Sequence, residues 1–163
     1  MQEEHVINSK DNLVLVGIPL FNSAETIASV VLSCLDFSDE VVCVDDCSSD
    51  LSAEIARKSG ATVISHKRNR GVGGVAKTLF NYAKEKNASI VVLIDSDGQH
   101  NPNDLPKLIE PLKNNKADLV IGSRFVSGGK SKDMPTYRKF GLKLINTVSK
   151  WHSKQLVRDT QSG

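Results

Sequence analysis

The stretch SIVVLIDSDGQH, residues 89–100, decides the fold class of this chain. Its first half is a run of apolar residues rich in valine and isoleucine, and its second half is a polar turn rich in aspartate. A continuous apolar run of this length is typical of a strand buried on both faces, as in a parallel sheet. Similar runs lie at residues 13–18, 40–45, 61–65 and 118–123, and they are predicted to be strands of the same sheet.

Helical patterns separate these runs, at about residues 23–35, 51–59, 74–87 and 103–114. Asn22 and Glu25 have the spacing of a capping box at the start of the first helix. Asp50 is expected to cap the second helix, and Gly60 stands where that helix should end. Strands that alternate with helices predict an α/β fold, a doubly wound and mainly parallel sheet with helices on both faces.

The composition favours one compact domain. The chain has 163 residues, of which 39% are hydrophobic and 25% charged, so neither a disordered chain nor a membrane span of about 18 apolar residues is expected. The first residues are polar and unlike a signal peptide. We expect a flexible tail over residues 1–11 and one domain over residues 12–163. Cys34, Cys43 and Cys47 have no metal-ligand spacing, which predicts small apolar side chains in a reducing compartment.

The charges are unevenly distributed along the chain. Residues 124–158 contain nine Lys and Arg and one Asp, a net charge of +8, whereas the rest of the chain carries −6. This predicts a basic surface that meets an anionic partner, or else an ordinary solvated helix face. Apolar residues recur at helical spacing from Tyr137 to Trp151. Such a helix would lie at a membrane interface or pack on the sheet of its own chain.

The polar residues that follow each strand should meet at one edge of the sheet, where open parallel sheets bind ligands. Asp95 and Asp97 are two residues apart after the strongest strand, so their carboxylates can converge on one hard cation, Mg²⁺ or Mn²⁺. Gln99 repeats the spacing and could add a neutral oxygen. The alternative is a plain acidic turn.

Two further loops could contact a nucleotide. Asp45 and Asp46, with the serines that follow them, offer acceptors for the ring N–H of a base or for ribose hydroxyls; alternatively, Asp50 only caps a helix and one aspartate is solvated. The glycines at residues 71–74 could take a phosphate at a helix start or serve the backbone alone. Their spacing matches neither a dinucleotide fingerprint nor a P-loop. Among the dispersed histidines, His100 stands beside the acidic turn, and a solvated role is favoured for it.

Six motifs together resemble glycosyltransferase family 2, and in particular its dolichyl- and polyprenyl-phosphate sugar synthases. They are PLFNSAE at 19–25, VDDCSSD at 44–50, NRGVG at 69–73, DSDGQH at 95–100, GSR at 122–124 and RDTQSG at 158–163. The resemblance implies a GT-A fold and inversion at the anomeric carbon, with Mg or Mn as the divalent cation. The implied partners are a nucleotide sugar of the GDP-mannose or UDP-glucose type and a polyprenyl or dolichyl phosphate at a membrane surface, without nucleic acid. The implied location is cytoplasmic, peripheral at the cytoplasmic face of a membrane.

The resemblance also implies roles for individual residues. Substrate would be bound by Pro19, Phe21, Glu25, Asp45, Asp46, Gly71, Asp95, Ser96, Arg124 and Arg138; metal by Asp95, Asp97 and Gln99; and Asp97 and Arg124 would be catalytic. Cys47 replaces the glycine that usually follows the aspartate pair, and Val72 replaces a frequent lysine. Because family members continue beyond the last motif, we expect a domain truncated at its C-terminus.

Four alternatives fit the motifs less well. A sugar-phosphate nucleotidyltransferase shares the fold type but has a glycine-rich loop after its first strand, which this chain lacks. A haloacid-dehalogenase-like phosphatase carries its D-x-D-G motif after the first strand rather than the fourth. A phospho-receiver module needs a lysine at a set strand end. A non-catalytic nucleotide-binding module stays open.

Overall fold

The computed structural model describes residues 13–122, which form alternating strands and helices. The strands are β1 (Val14–Leu20), β2 (Glu40–Asp45), β3 (Thr62–Ser65) and β4 (Ile90–Leu93). The helices are α1 (Ile27–Leu35), α2 (Ser52–Lys58), α3 (Gly71–Glu85) and α4 (Leu105–Lys113), the last preceded by a 3₁₀ turn at Pro102–Asp104. All of them lie in the first of two units into which the chain divides, residues 1–118 and 119–163. The single domain predicted for residues 12–163 stays a prediction.

The four strands form one parallel sheet in the order β3-β2-β1-β4. In the register of the sheet, Leu20 of β1 lies opposite Asp45 of β2, and Gly17 of β1 lies opposite Leu93 of β4. The chain therefore builds outward from β1 to β3 and then crosses to the other side of β1. The strand order reverses between β1 and β4, which makes this the switch point where sheets of this class bind ligands.

Alternate residues of the buried strands face two separate apolar layers, as expected for a sheet covered on both sides. Val14, Val16 and Ile18 pack in the layer that contains the buried residues of α1, α2 and α4. Leu15 packs in the other layer, against the buried face of α3. Gly17 lets α3 approach the sheet closely, because a Cβ there would lie 3.0 Å from a methyl carbon of Leu79. The predicted α/β class with helices on both faces is confirmed.

Two local predictions, at residues 118–123 and at Asn22, are wrong. The run at residues 118–123 was expected to be a fifth strand, but residues 118–122 are not in a strand. Its short apolar stretch has strand propensity without a pairing partner in the described sheet, and propensity alone does not make a strand. The capping box at Asn22 does not form, since Asn22 has φ 48° and α1 begins only after Thr26. Helix α3 begins at Gly71, three residues before the approximate start at 74, and the glycines open it as predicted.

Other local signals agree with the structure in part. Gly60 follows the end of α2 with φ 103°, a conformation that glycine adopts without steric cost. Asp50 was predicted to be the N-cap of α2, but the N-cap is Leu51, without a side-chain cap; the Asp50 carboxylate instead accepts the amide of Ser52, the first residue of α2, at 3.0 Å. None of the four helices between residues 13 and 122 has the length and apolar character that a membrane span requires.

The three cysteines are free thiols in two different environments. Cys34 and Cys43 are buried in the core as predicted, and burial raises their pKa to about 11 and about 12. Cys47 is exposed instead, in the loop that follows Asp46. Only two of the three thiols therefore serve as small apolar side chains.

Candidate functional site

The carboxyl ends of β1, β2 and β4 bring most of the predicted site residues to one edge of the sheet. Asp45 ends β2 and lies opposite Leu20, the last residue of β1. The acidic turn that begins at Asp95 follows β4, on the other side of β1. The β1–α1 loop, residues 21–26, therefore lies between the two acidic groups, at the switch point of the sheet.

Hydrogen bonds join the β1–α1 loop to the turn after β4. The Ser23 and Ser96 hydroxyls are 2.8 Å apart, and Ser96 is buried. The Thr26 hydroxyl donates to the Ser96 carbonyl oxygen at 2.6 Å. These two contacts hold the turn at Ser96. The side chains of its neighbours Asp95 and Asp97 are exposed.

A second set of hydrogen bonds joins the same loop to the β2–α2 loop. The Ala24 amide donates to Asp50 at 3.1 Å, and the Ser23 amide donates to the Ser52 hydroxyl at 2.7 Å. The Asn22 side-chain oxygen accepts the Ser49 amide at 2.8 Å. Hydrogen bonds, first from the Ser52 hydroxyl and then from backbone amides, hold the pKa of Asp50 below its usual value. Asp50 thus serves the loop frame as an ionised acceptor.

Asp45, the last residue of β2, and Asp46, which follows it, are both buried. Asp46 accepts more hydrogen bonds than Asp45. The Oδ1 of Asp46 accepts His66 Nδ1 at 2.7 Å and the Arg70 amide at 2.8 Å, while its Oδ2 accepts the Gly71 amide at 2.7 Å. Burial by itself raises the pKa of Asp46, but the hydrogen bonds from these three groups outweigh it, and the pKa lies below its usual value. Asp45 accepts the Ser48 amide through Oδ1 at 3.1 Å.

Asp95 and Asp97 differ from this pair because both are exposed. Asp97 accepts the Gln99 amide at 2.9 Å, which closes the turn. His100 Nδ1 accepts the Asp95 amide at 3.4 Å and lies 3.8 Å from the Asp95 carboxylate. Apart from that histidine, no ion pair to either carboxylate occurs between residues 13 and 122. Both carboxylates therefore have oxygens available to a ligand.

The donor set of the acidic turn fits a hard divalent cation. Mg²⁺ usually binds through one or two protein carboxylates and completes its shell with water and substrate phosphates. Asp95 and Asp97 can supply the two carboxylates. Within the described range no cluster of three or more His, Cys, Asp or Glu side chains suits a metal ion. With two carboxylates from the chain, a cation held here would have further coordination sites for water and phosphate oxygens.

The remaining predicted residues are placed as follows. Phe21 is 52% exposed at the end of β1, Glu25 is exposed, and Pro19 is half-buried beside β2. The Gly71 amide, which the glycine motif would direct at a phosphate, is instead bonded to Asp46 and to Asn69. Arg124 and Arg138, like the expected helix from Tyr137 to Trp151, lie outside the described residues.

His66 is a residue of this edge that was not predicted from the sequence, where it is one of several dispersed histidines. In the structure its side chain is buried and both ring nitrogens are bonded. A usable signal was present, because His66 directly follows β3 in the way that the other site residues follow their strands. The contact to Asp46, 20 residues earlier in the chain, has no local signature.

Comparison with known proteins gives a consistent result. The model of the family "Glycosyl transferase family 2" matches residues 15–162. The UDP-N-acetylglucosamine–dolichyl-phosphate N-acetylglucosaminyltransferase of Methanococcus voltae is 31% identical, over 94% of this chain and 68% of its own length. The dolichol-phosphate mannosyltransferase of Pyrococcus furiosus is 36% identical, over 77% of this chain and 37% of its own length.

A solved structure shares the fold. Glucosyl-3-phosphoglycerate synthase from Mycobacterium tuberculosis, in complex with Mn²⁺, UDP-glucose and phosphoglyceric acid, is 31% identical with a TM-score of 0.53. The match covers 62% of this chain and 39% of the synthase. The chain thus spans about two fifths to two thirds of the length of these similar proteins.

Proposed function

We propose, since the chain belongs to glycosyl transferase family 2, that it transfers a hexose from a nucleoside-diphosphate sugar to the phosphate of a polyprenyl or dolichyl lipid. The observation that carries this proposal is the frame built around the β1–α1 loop. That loop is bonded through Ser23 both to the first residue of α2 and to the turn after β4. One rigid edge thereby presents a buried acidic pair, suited to base or ribose, and an exposed acidic pair, suited to a diphosphate with its cation.

The donor is proposed to lie along this edge. Asp45 or Asp46 would accept from the base or the ribose, and Phe21, Pro19 and Glu25 would frame the nucleotide. Asp46 already accepts three hydrogen bonds from the protein, and a carboxylate has about four acceptor sites, so Asp45 retains more capacity. Support for a nucleotide-sugar donor comes from two similar proteins, a transferase named for UDP-N-acetylglucosamine and a synthase solved with UDP-glucose.

The acidic turn is proposed to hold Mg²⁺ or Mn²⁺ through Asp95 and Asp97, with Gln99 as a further oxygen. Such a cation, when bound, offsets the negative charge that develops on a leaving diphosphate. The hydrogen bond from the Thr26 hydroxyl to the Ser96 carbonyl oxygen holds the backbone between the two carboxylates. The similar synthase from Mycobacterium tuberculosis has been solved with Mn²⁺ and with Mg²⁺, which supports a divalent cation here.

The acceptor is proposed to be a lipid phosphate. A phosphate is already anionic near neutral pH, so it needs positioning more than a general base, and attack on the side opposite the diphosphate inverts the anomeric carbon. Arg124 and Arg138, in the basic stretch from 124 to 158, would position it through charge-assisted hydrogen bonds. The chain would then work peripherally at a membrane, at its cytoplasmic face; the lipid acceptors in the names of its relatives support the membrane part of this proposal.

Calorimetry tests the donor site. The wild-type chain should bind at least one of UDP-glucose, UDP-N-acetylglucosamine and GDP-mannose more tightly with Mn²⁺ than without it. Asp97→Ala should remove that gain, which we expect to be at least roughly tenfold, because a charge-assisted contact is worth about 1.5–3 kcal/mol. Asp36→Ala is the matched control, since Asp36 is exposed at the far end of α1, away from this edge. Unchanged Mn²⁺-dependent affinity in Asp97→Ala would overturn the metal site.

A transfer assay tests the acceptor. The labelled hexose should move to dolichyl or polyprenyl phosphate and not to 3-phosphoglycerate, the small acid found with the similar synthase. Replacing Arg124 and Arg138 by alanine should weaken use of the lipid phosphate while donor affinity stays the same. Equal loss of both would assign the two arginines to the donor instead.

A further inference from the structure

His66 makes three contacts at the sheet edge, two through its buried ring and one through its backbone amide. Its Nδ1 lies 2.7 Å from Asp46 Oδ1, and its Nε2 lies 2.9 Å from the hydroxyl of Thr78 in α3. Its backbone amide donates to the Asp45 carbonyl oxygen at 2.8 Å. The side chains of His66 and Asp46 are only 5% and 6% exposed, so the contact is shielded from water.

The proton on the ring can be assigned from its neighbours. An ionised carboxylate only accepts hydrogen bonds, and the pKa of Asp46 is lowered, so His66 Nδ1 donates to it. Nε2 of the ring lies 2.9 Å from the Thr78 hydroxyl, which itself donates to the Gly74 carbonyl oxygen at 3.1 Å. His66 is thereby bonded at both ends of the ring, which fixes the plane of the ring.

The carboxylate that His66 contacts also holds the first turn of α3. Asp46 accepts the amides of Arg70 and Gly71, and Gly71 has φ 70°, where a glycine meets little steric resistance. Two amides at a helix start would otherwise be left for water. The Asp46 carboxylate therefore connects the end of β2 to the start of α3.

We propose that His66 is a positioning residue for the donor site, acting through Asp46. By fixing the Asp46 carboxylate it holds Asp45, the β2–α2 loop and the glycine start of α3 in one arrangement before a nucleotide binds. This inference rests on the proposed function, because it assigns the nucleotide to the Asp45–Asp46 end of the edge. A buried charge is costly to leave unpaired, so an apolar residue at position 66 would leave Asp46 with one donor fewer in a water-poor site.

Conservative substitutions separate the two ends of the ring. The amide nitrogen of asparagine is as many bonds from Cβ as Nδ1 of histidine, so His66→Asn can keep the bond to Asp46 and lose that to Thr78. The amide of glutamine reaches the place of Nε2, so His66→Gln can keep the bond to Thr78 and lose that to Asp46. His66→Ala loses both, and Thr78→Val removes the partner hydroxyl together with its bond to the Gly74 carbonyl oxygen.

The donor dissociation constant is the main measurement, made with Mn²⁺ and whichever of UDP-glucose, UDP-N-acetylglucosamine or GDP-mannose the wild-type chain binds. We expect it to rise roughly tenfold in His66→Ala and His66→Gln, the effect of losing one charge-assisted hydrogen bond. It should stay within about threefold of wild type in His66→Asn and Thr78→Val. In the transfer reaction the change should appear in KM for the donor, with kcat nearly constant, since His66 does not face the reacting atoms.

Amide hydrogen exchange gives a readout that needs no ligand. The Arg70 and Gly71 amides should exchange faster in His66→Ala and His66→Gln than in His66→Asn, at equal global stability by urea unfolding. Affinities that follow only the free energy of unfolding, whichever end of the ring is kept, would overturn the inference. If the wild-type chain binds none of the three nucleotide sugars, the proposed function is wrong. If the Arg70 and Gly71 amides exchange at the same rate in His66→Ala, His66→Gln and His66→Asn, the inference about His66 is wrong whether or not a nucleotide sugar binds.

Discussion

Replacing Cys47 by glycine should stabilise the fold. Cys47 directly follows the buried Asp46 and has φ 70°, the left-handed region in which a side chain with a Cβ is strained. That conformation costs an L-residue about 1–2 kcal/mol, whereas glycine adopts it freely. The cysteine is exposed, so its removal takes no packing contact from the core.

The expected gain is smaller than the relieved strain. Glycine loses more backbone entropy on folding than other residues, which costs about 0.5–1 kcal/mol. The difference leaves a net stabilisation of about 0.5–1 kcal/mol. In a chain of this size 1 kcal/mol corresponds to a shift of about 2–4 °C in Tm, so Cys47→Gly should melt about 1–4 °C higher.

Urea unfolding of three variants checks the reasoning. Cys47→Gly should move the midpoint to higher urea without a change in slope. Cys47→Ala removes the thiol but keeps a Cβ, so it should gain little. Asn87→Gly is the second control, because Asn87 has φ 54° and asparagine tolerates this region better than cysteine. A Cys47→Gly midpoint at or below that of Cys47→Ala would refute the strain argument.

Two further predictions concern stability. Gly17→Ala should lower the free energy of unfolding by about 1–3 kcal/mol in urea, because its Cβ would lie 3.0 Å from Leu79 and 3.2 Å from Leu93. Gly73→Ala, in α3 with open space around it, should raise the free energy of unfolding by up to about 1 kcal/mol. The reverse order of stability would contradict the packing. The pKa of Asp46 is lowered in the folded state, so its stabilisation is present above its ordinary value of 3.8 and is lost as the pH falls through the lower folded pKa. The difference in unfolding free energy between wild type and Asp46→Asn should therefore shrink below pH 3.8, and a difference independent of pH would argue against the ionised contact.

The strands of the described sheet were predictable because their signal is local. A run such as residues 40–45 is apolar enough to be buried on both faces wherever it lies in the sheet, and β2 has these bounds. The run at 118–123 has a similar composition, but whether it pairs depends on which strand edge it meets. Helix starts were less predictable, because a polar side chain with the spacing of a cap can bond to another loop instead. Asn22, which has a capping spacing, bonds to Ser49 across the loop instead of to its own helix.

The candidate site was predictable in its positions and not in its contacts. The rule that ligands bind at strand ends was sufficient to select Asp45, Asp46, Asp95 and Asp97. It did not show that Asp46 is held by His66 and by the start of α3, because that contact depends on how β3 and α3 lie beside β2. Sequence therefore named the carboxylates, and only the fold separates those that bind the protein from those that are exposed.

That separation leads to a last prediction about the cation. Asp46 and Asp50 are satisfied by donors of the chain itself, whereas Asp95 and Asp97 are exposed at the same edge. A diphosphate beside two exposed carboxylates would be repelled unless a cation lay between them. Chelation of divalent ions should therefore weaken nucleotide-sugar binding by wild type at least roughly tenfold and leave Asp97→Ala, already weak, nearly unchanged. Wild-type affinity that is indifferent to the chelator would mean that the acidic turn is only a solvated turn, and that the donor is held elsewhere.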